Sequence, residues 1–253
     1  MTRRLLFLIA SCCVAAAIVV AWHYISYHRL ISPVFLPPPE RVWASLIFNF
    51  ERGGLASYVL LTLRHVVLGW LLASLVGIVV GASIGMSETA RLYLSPTLEF
   101  FRPLPASTLF PIAIAVFGLT EGMLLSVIAF GALWPTLLAT ISGVVDVKPR
   151  LQEVARLLGV GRLRFALQIA LPNAMPGILA GMRLSLTIAL ILSVTGEMVS
   201  GNDGLGRWVL LQARGFRAAD VFAGVLLFGV IGYCGAQAIS LVEARMLRWR
   251  SQR

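Results

Sequence analysis

The chain has 253 residues, of which 58% are apolar and only 13% charged, with a mean hydropathy of +0.88. Soluble domains carry about 25% charged residues and need polar surface to cover themselves. The composition therefore indicates an integral membrane protein and excludes a soluble enzyme, a nucleic-acid-binding domain and a disordered chain. The net charge of +10 then reads as basic cytoplasmic loops and not as a polyanion-binding face.

A helix that crosses the hydrocarbon layer needs about 20 apolar residues. Six runs meet this in chain order: Leu5 to Trp22, Val66 to Ser87, Pro103 to Thr120, Gly122 to Val145, Asn173 to Gly196 and Val221 to Val242. The first follows Arg3 and Arg4 and continues well past Cys12, which is long for a signal-peptide core, so it is expected to stay as an anchor. An N-terminal part, 1–57, comprises this helix and an external segment. Within that segment Pro33, Pro37, Pro38 and Pro39 open an extended stretch. A short amphipathic helix follows Glu40, with Val42, Leu46 and Ile47 on one face, and is expected to lie on the outer membrane surface. A core, 58–245, holds the remaining runs, and 246–253 is a basic tail. Gly77, Gly81 and Gly85 form overlapping GxxxG steps, which permit close helix approach, here expected within one subunit.

Orientation follows the basic residues. With the N-terminus inside, Arg3, Arg4, Arg91, Arg102, Lys148, Arg150, Arg156, Arg162, Arg164, Arg245, Arg248, Arg250 and Arg253 fall on the cytoplasmic side, against Arg29, Arg41, Arg52, Arg64, Arg207, Arg214 and Arg217 outside. Both termini are thus expected in the cytoplasm. No Cys or His grouping has metal-ligand spacing, since Cys12, Cys13 and Cys234 sit in apolar runs and His23, His28 and His65 lie apart, so no metal or redox centre is expected.

The longest cytoplasmic loop, 146–172, carries the most informative pattern. Leu151, Val154, Ala155 and Leu158 share one helical face, with Gln152, Glu153 and Arg156 on the other. Gly159 and Gly161 can end that helix. A second short helix is expected from Arg162 to Leu171, stopping near Pro172. An apolar ridge of this kind either docks in a partner's groove or rests on the inner leaflet of membrane lipid.

Glu153, Ala155, Gly159, Ile169, Leu171 and Pro172 stand at the spacing of the Glu-Ala-Ala loop of bacterial ABC importer permeases, with Val154 replacing the middle Ala. On this motif the chain resembles the binding-protein-dependent permease family. Leu36-Pro37-Pro38-Pro39, Arg102-Pro103-Leu104-Pro105, Phe117-Gly118, Pro135 and Gly204-Leu205-Gly206 resemble its nitrate/sulfonate/taurine branch, which also contains bicarbonate and thiamine-precursor transporters. The resemblance implies a type I importer permease fold, all-α, with six transmembrane helices: a five-helix core preceded by an extra N-terminal helix. It also implies a second permease copy forming a homodimer, two copies of an ABC ATPase engaged by Glu153, Val154, Ala155, Arg156, Leu158, Gly159, Ile169, Leu171 and Pro172, and a periplasmic solute-binding protein. The chain has no GxxxxGK[ST] loop, so no cofactor is expected in it, and ATP-Mg would bind the partner ATPase.

Polar residues inside spans are the remaining candidates. Arg183 either snorkels or pairs structurally, or it faces the pathway and meets an anion. Glu197 is either an interface carboxylate or part of a gate. Thr187, Ser193 and Thr195 either line a polar path or satisfy backbone carbonyls. The competing class is a self-contained secondary transporter or channel, but no inverted repeat is evident and such a protein has no use for the 146–172 helix pair.

Overall fold

A computed structural model describes residues 2–247, and every regular element in it is a helix. In chain order these are α1 Thr2–Tyr27, α2 Pro39–Glu51, α3 Leu55–Gly85, α4 Glu88–Phe101, α5 Ala106–Phe117 (opening as a 3-10 turn), α6 Glu121–Val145, α7 Pro149–Leu157, α8 Arg162–Ser200, α9 Leu205–Arg214 and α10 Ala218–Met246. Four of them, α3, α6, α8 and α10, are long and apolar enough to cross a membrane. The bent pair α4–α5 makes a fifth if it counts as one span. α1 runs 26 residues and is not among these, so the count of six expected spans stays open. Arg248, Arg250 and Arg253 of the basic tail lie outside the described residues.

The centre of the fold is the packing of α6 against α3 and α8. The GxxxG steps make the first of these contacts. A Cβ added at Gly81 would lie 2.7 Å from the Leu137 carbonyl oxygen, and one at Gly85 would lie 2.9 Å from Val144 Cβ. The small residues thus serve packing inside the subunit, as expected. On the other flank, Gly181 of α8 meets Pro135, and Trp70 donates to the Met182 carbonyl at 2.9 Å. Phe110, Met123, Leu124, Ile128 and Ala189 are buried in one cluster, and Val144, Val147, Ala170, Ala174 and Ile178 in another nearer α7.

Two expected elements are built differently. The Pro103 to Thr120 run is no straight span, because α4 and α5 meet at 81° across the Arg102–Pro105 turn. Arg102 still has helical angles, φ −55° and ψ −46°, but Pro103 and Pro105 remove two amide donors just past it, so the chain breaks there. The second loop helix, Arg162 to Leu171, does not stop at Pro172. It is the first part of α8 and continues through a π-type turn, Ala166–Ala170, to Ser200. Pro172 sits in the first turn of Leu171–Ser200, where its missing N–H does less harm.

α2 forms where expected and is anchored to the protein on one side, while Trp43, Ile47, Phe48 and Phe50 stay exposed. Asn49 Nδ2 donates to Asp220 Oδ1 at 2.9 Å, Ser45 donates to the same oxygen, and Arg217 pairs with Oδ2 at 2.7 Å. Asp220 is buried, so this cluster fixes α2 to the start of α10. The end of α1 joins the same region, with Trp22 donating to the Pro37 carbonyl at 3.0 Å and Ser26 to that of Leu36 at 3.0 Å.

Candidate coupling helix and translocation groove

α7 lies at one end of the bundle, beyond the long helices. Pro149 opens it, and Gln152 donates to the Val147 carbonyl at 3.1 Å. Its C-terminus is a Schellman turn: Gly159 N–H reaches the Arg156 carbonyl at 3.1 Å and Val160 N–H reaches that of Ala155 at 2.9 Å, with Gly159 at φ +64°. A Cβ at Gly159 would meet nothing within 4 Å. The need for glycine there is therefore in the backbone angle, and steric separation of two helices plays no part.

The sequence-derived loop residues divide into two groups. Ala155 is buried, and Ile169 and Leu171 pack on the Val144–Ala174 cluster, so these three attach the loop to the bundle. Pro172 is half-buried beside them. Leu151, Val154 and Leu158 remain exposed, together with Glu153 and Arg156. Leu157, 87% exposed, and Leu163, 74% exposed, extend this apolar surface and escaped the sequence reading. Their signal was present: Leu157 lies three residues past Val154, on the same side of the helix.

The polar residues of α8 take three different positions. Arg183 Nη2 pairs with Glu243 Oε2 at 2.6 Å and donates to Ser240 Oγ at 3.0 Å, tying α8 to α10. Thr187 and Thr195 donate to the carbonyls of Arg183 and Ile191, at 3.4 and 2.8 Å. Ser193 and Glu197 are fully buried, 3.3 Å apart at their oxygens.

Glu197 is the hub of a buried network. Thr62 donates to it, at 2.9 Å from each carboxyl oxygen, the Gly206 N–H at 2.8 Å, and His65 Nδ1 lies 2.9 Å from Oε1. Leu205 N–H donates to Thr62 Oγ1 at 2.8 Å. The first amides of α9 are thereby satisfied by α3 and α8, with acidic oxygen at the positive helix end. Gly204 and Gly206 are required by proximity. A Cβ on Gly204 would collide with the Glu197 carboxyl group, and one on Gly206 would sit 2.5 Å from the Val194 carbonyl oxygen. Thr62 and His65 are residues the sequence reading did not connect to Glu197. Their polar i, i+3 spacing in an apolar helix was the available clue.

A groove of about 790 Å³ runs along α8 from Gly177 to Thr195, bounded by α6 and by the α4–α5 break. Arg102, Ser107, Trp134 and Thr195 line it among apolar and small residues. Arg183, Thr187, Ser193 and Glu197 do not.

Long apolar helices pack around a small-residue core, with α7 exposed at one end. The chain belongs to the family described as binding-protein-dependent transport system inner membrane component, whose model matches residues 73–248. It is thus a multi-pass permease component of an ABC transport system; such components carry out transport and are not enzymes. It is 32% identical to the putative aliphatic sulfonates transport permease protein SsuC of Bacillus subtilis (strain 168), across 93% of this chain and 86% of that one. It is 29% identical to the taurine transport system permease protein TauC of Escherichia coli (strain K12), across 94% and 88%. The nitrate import permease protein NrtB of Leptolyngbya laminosa is 27% identical across 82% and 76%. A solved structure, described as the crystal structure of an amino acid ABC transporter with histidines, shares the fold with a TM-score of 0.64 at 21% identity, covering 79% of this chain and 98% of that one.

Proposed function

We propose that the chain is the permease of an ATP-driven, binding-protein-dependent importer of a small sulfonate-, taurine- or nitrate-like anion in the bacterial cytoplasmic membrane. α1 adds a sixth span to a five-span core formed by α3, the α4–α5 pair, α6, α8 and α10. Both termini are cytoplasmic. Two permease copies enclose the path, a periplasmic binding protein delivers the solute, and two ATPase subunits bind ATP-Mg.

The observation that carries this reading is α7, a helix outside the bundle whose exposed side presents Leu151, Val154, Leu157 and Leu158. Exposed apolar ridges rimmed by charge mark docking sites. Ala155 is buried at the bundle end, Gln152 closes on the Val147 carbonyl, and a tight turn over 158–161 leads directly into the 39-residue α8. Movement of α7 with a closing ATPase pair is thereby passed to the α8 segment that lines the groove, switching the path between inward-open and outward-open states. A self-contained transporter leaves this ridge without a role.

Glu153→Lys and Leu157→Asp test the docking. Neither residue is buried, so the permease still inserts, and each variant loses most of the ATPase that co-purifies with the tagged wild-type chain. Full ATPase retention with normal uptake in both variants overturns the reading.

A further inference from the structure

Arg102 occupies an unusual position for a charge. Before it, Leu98 packs on Ile84, Leu137 and Ile141. After it, Ala106 faces Gly131, where an added Cβ would come within 2.6 Å. Arg102 lies in the break between these levels and shares the groove with Trp134, Pro135, Leu138 and Ala139 of α6, inside the span of that 25-residue helix and short of both its ends. A guanidinium at that level stands inside the span and not at its rim, where charges usually snorkel. No acidic group pairs with Arg102 among the described residues. It is also the only ionisable side chain lining the groove.

We propose that Arg102 is the cation of the translocation groove: it keeps the potential positive inside the span and so selects small monoanions. A lone charge at that depth needs water or an anion beside it. The α4–α5 break supplies both the place and the reason. A discontinuous helix inside the span frees backbone polar groups that only a solvated cavity tolerates. The other polar side chains of the lining, such as Ser107 and Thr195, are uncharged, so the sign of the field rests on Arg102 alone. In a low-dielectric wall that single charge acts more strongly than it would at a water-exposed surface. The inference rests on the permease reading, since it needs the groove to be a solute path, and it adds the charge that filters what passes.

The test uses the permease–ATPase complex with Cys12, Cys13 and Cys234 replaced by Ser and a single cysteine at Ser107 or Thr195. Each thiol is reacted with 2-sulfonatoethyl methanethiosulfonate, which is anionic, and with its cationic 2-(trimethylammonium)ethyl counterpart, and rates are normalised to those of a free thiol. With Arg102 present the anionic reagent is favoured. Arg102→Gln lowers the anionic-to-cationic rate ratio about fivefold, while Arg102→Lys keeps it. An unchanged ratio in Arg102→Gln overturns the proposal, and so does a wild-type ratio that favours the cation. Failure of both reagents to reach either thiol also overturns it, because the groove is then not aqueous. Co-purification of the ATPase is read in every preparation, so loss of the permease reading shows separately from loss of the Arg102 filter.

Discussion

Glu197 and Arg183 lie fourteen residues apart on one helix, both charged types inside spans, and their surroundings assign them different energies. Glu197 is wholly buried and serves Thr62, His65 and the Gly206 amide at once. Glu197→Ala leaves these groups without an acceptor, at about 1–3 kcal/mol for each buried donor stranded. The expected outcome is a large fall in the melting temperature of the detergent-purified chain. Gly206→Ala follows it, because the added methyl separates the amide from the carboxyl group. Arg183 is 43% exposed and its partner Glu243 34%. Pairs of that exposure contribute about 1 kcal/mol or less in water. Arg183→Gln is thus expected to shift the melting temperature little and to leave uptake near wild type. A selective loss of anion uptake would instead put Arg183 on the path. Neither partner set was legible in the sequence. Thr62 and His65 stand 135 and 132 positions from Glu197, and only the fold brings them together.

At the scale of the element, legibility followed locality. The α7 turn was readable because its determinants, Leu151 to Gly159, lie within one short stretch and their apolar period is helical. The α4–α5 break is hidden in composition, because Pro103 and Pro105 lie at the edge of an uncharged apolar run whose hydropathy alone reads as one straight span. The second loop helix outruns Pro172 for the opposite reason. A proline stops a helix approaching it from upstream unless a wider turn absorbs its missing N–H, and the π-type turn at Ala166–Ala170 does so here. The Schellman turn gives a prediction that separates angle from space. With φ at +64° and nothing within 4 Å of an added Cβ, size does not matter at Gly159 and conformation does. Gly159→Asn, a residue that tolerates the left-handed region, retains most ATPase co-purification. Gly159→Val, β-branched and an outlier there, costs roughly 1–3 kcal/mol in the folded turn and releases the ATPase. Equal behaviour of the two variants would remove backbone angle as the reason for glycine.

Across the whole molecule the charges are arranged more unevenly than a count of basic residues shows. At the end bearing α2 and α9, arginines are neutralised locally: Arg64 pairs with Glu121 at 3.1 Å, Arg207 with Asp203 at 2.6 Å and Arg217 with Asp220 at 2.7 Å. At the α7 end, Arg91, Lys148, Arg150, Arg156, Arg162 and Arg164 form no ion pair among the described residues. What the translocation machinery meets at the α7 end is uncompensated positive charge. Excess Lys and Arg hold a segment on the cytoplasmic side, while acidic residues contribute little to orientation. The α7 end is therefore expected inside on the basic residues alone, and the local pairing leaves the outer end close to neutral once folded. Single cysteines in the Cys12, Cys13 and Cys234-free chain read this directly. Ser57→Cys and Asp203→Cys, both on exposed positions of the far end, label with an impermeant maleimide in intact spheroplasts. Arg164→Cys, exposed beside α7, labels only after the membrane is permeabilised. External labelling of Arg164→Cys would invert the topology and with it place the α7 ridge on the side where no ATPase can reach it.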